Sequence, residues 1–206
     1  MGDRTAAIAA LALYGAWAVV AFGLRTVVQV RRTGDSGFRG GGGPPGSVEW
    51  WARIFFVAAL AIGLAAPLAT LAGLDRFGAL DATAVTGFGI GVTVVGIVAT
   101  LLTQLAMGDA WRIGVDPDER TALVRSGPFR VVRNPIFSTM GITAIGLALV
   151  VPNVVAAAGL VLLAVALELQ VRRVEEPYLL AIHGAAYRDY AARVGRFVPG
   201  WGRTFS

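Results

Sequence analysis

Five apolar runs, four of them separated by arginine-bearing or Gly/Pro-containing segments, constrain this chain more than any other feature. They cover roughly Ala6–Val30, Ala52–Ala72, Val85–Met107, Ile136–Val151 and Asn153–Val171. Each approaches the ~20 residues that carry a helix across a bilayer, where only helices or closed barrels can satisfy their own backbone groups. Mean hydropathy of +0.68 and a charged fraction of 15% place the chain among membrane proteins. The expected fold is all-α: a polytopic bundle of about five transmembrane helices, followed by a C-terminal amphipathic helix on the membrane face. The first run is too long for a signal peptide, and no small-residue cleavage site with a soluble domain follows it.

The charges orient this bundle. All 18 basic residues are arginine. Arg31, Arg32, Arg39 and Arg53 flank the first connection. Arg112, Arg120, Arg125, Arg130 and Arg133 fill the third. Arg172, Arg173, Arg188, Arg193, Arg196 and Arg203 lie in the tail. Five passes put these three regions on one face and leave Arg4 and Arg76 on the other. The positive-inside rule then predicts an inner (plasma) membrane protein with its N-terminus outside and its C-terminus in the cytoplasm. The formal charge of +5 therefore points to orientation and anionic lipid, and no nucleic-acid partner is expected. With no cysteine and only His183, thiolate chemistry and a histidine metal cluster are excluded, and no metal is expected.

Residues 31–48 are a Gly/Pro-rich connector without the GK[ST] of a phosphate loop. Two pieces carry polar chemistry. Asn134-Pro135 is a helix start, with Asn as cap and Pro at the first position, so the fourth span begins there. Its N-terminus, with Arg130 and Arg133 beside it, suits a carboxylate or phosphate; the alternative is that the arginines only orient the helix. The second piece is Glu175-Glu176 before Pro177. The fifth helix is expected to break or kink there. Glu168 and Arg172 pair at i,i+4, while two adjacent carboxylates want a cation or hydroxyl donors. Residues 177–193 then read as an amphipathic segment with Leu179, Leu180, His183, Tyr187 and Tyr190 close to one face. Trp111 reads as an interfacial anchor, and Arg112 as a ligand candidate.

These residues resemble those of the isoprenylcysteine carboxyl methyltransferase and phospholipid methyltransferase superfamily, over 108–199. The members' Arg-His-Pro-x-Tyr-x-Gly motif corresponds to Arg133-Asn134-Pro135-Ile136-Phe137-Ser138-Thr139. Their Glu-Glu-x-x-Leu corresponds to Glu175-Glu176-Pro177-Tyr178-Leu179, followed by Gly184, Tyr187, Tyr190 and Pro199. Upstream, Trp111-Arg112-Ile113-Gly114-Val115 and Gly127-Pro128-Phe129-Arg130 look like bacterial members. Asn134, Phe137 and Thr139 replace the members' His, Tyr and Gly.

The resemblance implies an integral membrane methyltransferase using S-adenosylmethionine. Its implied binding set is Arg112, Gly127, Arg130, Arg133, Asn134, Pro135, Phe137, Glu175, Glu176, Leu179, Tyr187 and Tyr190, with Glu176 and Arg133 in catalytic roles. Residues 1–107 would be three helices supplying spans, and 108–206 the cofactor-binding region. The acceptor would be a lipophilic molecule or lipidated group entering from the bilayer, with a lipid acid such as an isoprenylcysteine carboxylate favoured. The competing readings are an NADPH-dependent enzyme like the sterol reductases and a non-catalytic membrane protein.

Overall fold

The computed structural model describes residues 1–39, 43–112 and 122–204. The predicted Ile113–Val115 stretch and Arg120 lie outside the described residues. Among the described residues, four helices are long and apolar enough to cross a membrane: α1 (Asp3–Thr33), α2 (Val48–Leu71), α3 (Thr83–Ala106) and α5 (Val154–His183). A shorter apolar helix, α4 (Pro135–Val150), completes the set of five predicted passes. Its 16 residues span about 24 Å at 1.5 Å per residue, less than the ~30 Å hydrocarbon core. The separate helix α6 (Ala185–Arg193) follows Gly184, whose φ of 51° ends α5.

Alternating passes bring the arginine-bearing connections together, as the charge pattern requires. At the opposite face, Arg76 is almost fully buried and reaches Asp81 at 2.7 Å, Asp3 at 3.3 Å and the Thr86 hydroxyl at 2.7 Å. The Phe77 amide donates to the Pro152 carbonyl there. Pro152-Asn153 makes a tight hairpin between α4 and α5. Asn153 is fully buried; its Oδ1 caps the Ala156 amide, and its Nδ2 donates to the Ala66 carbonyl and Thr70 hydroxyl of α2.

Small residues set the helix pairing, because lipid offers no hydrophobic drive between helices and close backbone approach must supply the packing. Helix α3 meets α4 through Gly89, Gly96 and Gly146. A Cβ on Gly96 would lie 2.8 Å from the Thr143 amide nitrogen. Thr93, Thr100 and Thr143 return their hydroxyls to carbonyls one turn back, and Thr100 also bonds Thr139 across the interface.

The fifth helix departs from expectation. It neither breaks nor stops near Val171, but runs on to His183 with Pro177 inside it. A π turn over Gln170–Glu175 absorbs the strain. Pro177 lacks an amide donor and its ring would clash with the carbonyl of Arg173 in a tight α-helix; widening the preceding turn relieves both. A second π turn covers Val19–Leu24 in α1.

Candidate functional site

The tail folds back over the start of α4. Val132 forms a parallel bridge with Gly195, Arg133 donates its amide to the Gly195 carbonyl at 2.8 Å, and Asn134 donates to that of Arg196 at 3.0 Å. The Ser138 hydroxyl donates to the Phe197 carbonyl at 2.7 Å. Only glycine fits at 195: a Cβ there would stand 2.6 Å from the Trp201 carbonyl oxygen of the turn that follows.

Beneath this cover lies a charged triad. Glu176 Oε1 accepts from Arg133 Nη2 at 2.6 Å and from Arg196 Nε at 2.8 Å, while Oε2 accepts from Arg196 Nη2 at 2.9 Å. Both arginines are buried. The Nη groups of Arg133 also donate to the carbonyls of Ala191, Val194 and Gly202, while its buried Nε finds no partner among the described residues. The pair is thus two fixed charges closing on one carboxylate with bidentate geometry at Arg196. Hydrogen bonding to Glu176 holds the Arg196 guanidinium above its ordinary range.

Helix α6 seals the flank. Tyr190 donates to the Phe129 carbonyl at 2.6 Å, which ties α6 to the 3-10 turn Gly127–Arg130. Tyr187 and Tyr190 pack with Ala191, Leu123, Leu179 and Leu180. Burial pushes the Tyr190 hydroxyl up to about 12. Burial, and then the Glu176 charge, raises Tyr187 as well. Both phenols stay neutral at ordinary pH, and neither acts as a base.

The predicted residues therefore fall into groups. Arg133, Asn134, Glu176, Leu179, Tyr187 and Tyr190 come together, with Pro135 buried at the start of α4. Asn134 does not cap α4 as expected: its Nδ2 donates to the Arg196 carbonyl at 3.2 Å, and the first-turn amides of α4 receive no side-chain cap. Phe137 packs inside the bundle, against the Trp17–Met140 and Ala59–Leu163 clusters. Gly127, with φ of 56°, and Arg130 are exposed. Arg112 donates to the carbonyls of Asp109 and Trp111.

The two glutamates part company. Whereas Glu176 meets two guanidiniums, Glu175 is half-buried and accepts one bond, from Gln170 Nε2 at 3.3 Å. That five-residue spacing is the π turn's own, and it takes Glu175 out of the Glu168–Arg172 ladder, which forms as predicted. Among the described residues no cation pairs with Glu175.

Sequence reasoning counted Arg196 only as a tail charge and passed over Gly195 and Ser138. The Gly-Arg-Phe-Val-Pro-Gly run at 195–200 carried the signal of a turn, but nothing in it named Glu176 as the partner. An apolar cavity of about 50 Å³ lies deeper between the helices, lined by Tyr14, Trp17, Gly63, Pro67, Met140 and Gly159 among others.

Comparison with known proteins gives this geometry a context. A family model described as phospholipid methyltransferase matches residues 84–186, half of the chain. Among solved structures, the fold is similar to a eukaryotic intramembrane Ras methyltransferase, an isoprenylcysteine carboxyl methyltransferase. The two are 19% identical with a TM-score of 0.61, over 94% of this chain and 68% of the other. No curated protein matches. A bundle of apolar helices capped by a locked polar tail, and a family match running from α3 into α6, lead to one conclusion: this multi-pass membrane chain belongs to the phospholipid methyltransferase family.

Proposed function

We propose that the protein is an S-adenosylmethionine-dependent methyltransferase whose acceptor is lipophilic and enters from the bilayer, with the arginine-rich face in the cytoplasm. The observation that carries the reading is the asymmetry of the glutamate doublet. Glu176 is committed to Arg133 and Arg196, which hold the tail, so Glu175 is the carboxylate left for a guest.

The residues present fit that donor. Glu175 matches its amine or ribose hydroxyls. The exposed Arg130 and the uncapped first-turn amides of α4 match its carboxylate. When bound, S-adenosylmethionine supplies a sulfonium methyl that an acceptor oxygen takes in line, the bonding pair returning to sulfur. Arg133 and Glu176 act as positioning residues that hold α6 and the tail over the site. Tyr187, Tyr190 and Leu179 form an apolar wall that excludes water. Displacement of this kind depends on alignment and desolvation of the two reactants, which a rigid cover supplies.

A carboxylate acceptor needs no general base, and neither buried tyrosine can act as one, so a lipid acid remains the favoured acceptor. The cavity beside Tyr14 and Trp17, of about 50 Å³, has room for only a short piece of its apolar portion. Leu163 in the cavity wall and Glu175 are 12 residues apart on α5, or about 18 Å along the helix, close to half the ~30 Å hydrocarbon thickness. Isothermal titration of the purified protein with S-adenosylhomocysteine and with NADPH tests the reading. Micromolar binding of the first alone is expected; a folded protein that binds NADPH instead, or neither, overturns it.

A further inference from the structure

The inner part of α1 carries a second polar site, unrelated to the glutamate doublet. Arg25 is 1% exposed, yet it sits in a helix whose neighbours Leu24 and Val27 face outward. Its Nη2 donates to the Gly108 carbonyl at 2.5 Å, but Nε and Nη1 are buried without partners among the described residues. Among the described residues no carboxylate pairs with it, and Arg32 and Arg112 lie close enough to add to its positive field, with Asp109 opposing.

The side chains around Arg25 are also incomplete. Gln29, fully buried, donates Nε2 to the Asp109 carbonyl at 3.2 Å and leaves Oε1 unpaired. Gln104, 4% exposed, reaches from α3 to the Ala21 carbonyl in the π turn of α1 and also leaves Oε1 unpaired. The Thr26 hydroxyl is buried and unpaired too. Buried polar groups are seldom left unsatisfied, and a cluster of them asks for a guest or an ordered water. The π turn Val19–Leu24 immediately before Arg25 is a feature that recurs at functional sites.

The unpaired atoms define the guest. Arg25 offers N–H donors on a permanent charge, so the guest brings oxyanion acceptors. The two glutamine oxygens are acceptors, so the guest also brings O–H donors. Its route is defined as well. Trp111 stacks under the guanidinium at 4.7 Å and is 2% exposed, and Gly37 packs so tightly on Trp111 that a Cβ would come 2.9 Å from its ring. Leu24 and Val27 of α1 and Leu102 and Leu105 of α3 lie exposed on the apolar surface.

We propose that Arg25, Gln29 and Gln104 form a site for the hydroxyl-bearing phosphate headgroup of an anionic lipid, reached from the bilayer between α1 and α3. The test is thermal unfolding of the full chain in phosphatidylcholine vesicles, with and without phosphatidylglycerol, and with free glycerol phosphate as a separate arm. Phosphatidylglycerol should stabilise the wild type, with apparent affinity falling at least about tenfold in Arg25→Gln and measurably in Gln104→Leu. Unchanged S-adenosylhomocysteine binding in both variants shows that they are folded and keeps this outcome separate from the methyltransferase reading. An equal response of wild type and Arg25→Gln would place the effect on surface arginines and overturn the proposal. So would an equal effect of glycerol phosphate, which assigns the site to a free phosphate. No response of the wild type to either leaves ordered water as the occupant and overturns it as well.

Discussion

Replacing Glu176 with glutamine isolates what the charged triad does. The substitution keeps volume and one oxygen, so Arg133 Nη2 and Arg196 Nε retain an acceptor at Oε1, now neutral. At Oε2 the amide nitrogen would face Arg196 Nη2 at the 2.9 Å now bridged by a hydrogen bond, donor against donor. Two guanidiniums whose side chains are 2% and 7% exposed lose the anion they share. Removing one partner of such a buried pair costs about 3–5 kcal/mol, and each 1.4 kcal/mol is a factor of ten. The cost falls on the tail. The reporters are the Arg133 and Asn134 amides, which donate to Gly195 and Arg196. Hydrogen–deuterium exchange at these two amides should accelerate by roughly 10²–10³-fold or more. Trypsin should then cut after Arg196, which is protected in the wild type. Glu175→Gln, with no cation to lose, should leave exchange unchanged. If Glu176→Gln keeps full protection at both amides, the triad is not what holds the tail and the positioning role fails.

Further outcomes follow from single contacts. Glu175→Ala should abolish S-adenosylhomocysteine binding in titration while trypsin resistance of the tail persists, because Glu175 is absent from the triad. Tyr190→Phe removes the bond to the Phe129 carbonyl and should cost about 1 kcal/mol, seen as faster exchange over 127–130 without loss of the helical signal. Gly96→Leu forces a side chain against the Thr143 backbone and should destabilise the α3–α4 pair by about 1–3 kcal/mol or more, read as a lower unfolding temperature in detergent.

The sequence by itself determined the number of passes, their order and the face on which the arginine-bearing segments meet. It also marked Asn134-Pro135 as a helix start. These properties are local or additive: apolar length, proline's fixed φ and the sign of charge are all written residue by residue. It paired Glu168 with Arg172 for the same reason, since i,i+4 neighbours meet wherever a helix forms.

What tertiary structure alone decided is who partners whom across the fold. Glu175 and Glu176 look equivalent along the chain, yet a π turn and a returning tail give Glu176 two arginines and leave Glu175 none. Asn134 satisfies every rule for a cap, but a carbonyl 62 residues away takes its amide. Arg25 is one arginine inside an apolar run until Trp111 stacks on it, the Gly108 carbonyl takes Nη2, and Nε and Nη1 are left unmatched among the described residues. Such choices are competitions between nearby and distant hydrogen-bond partners, and only the packed backbone sets the distances that settle them.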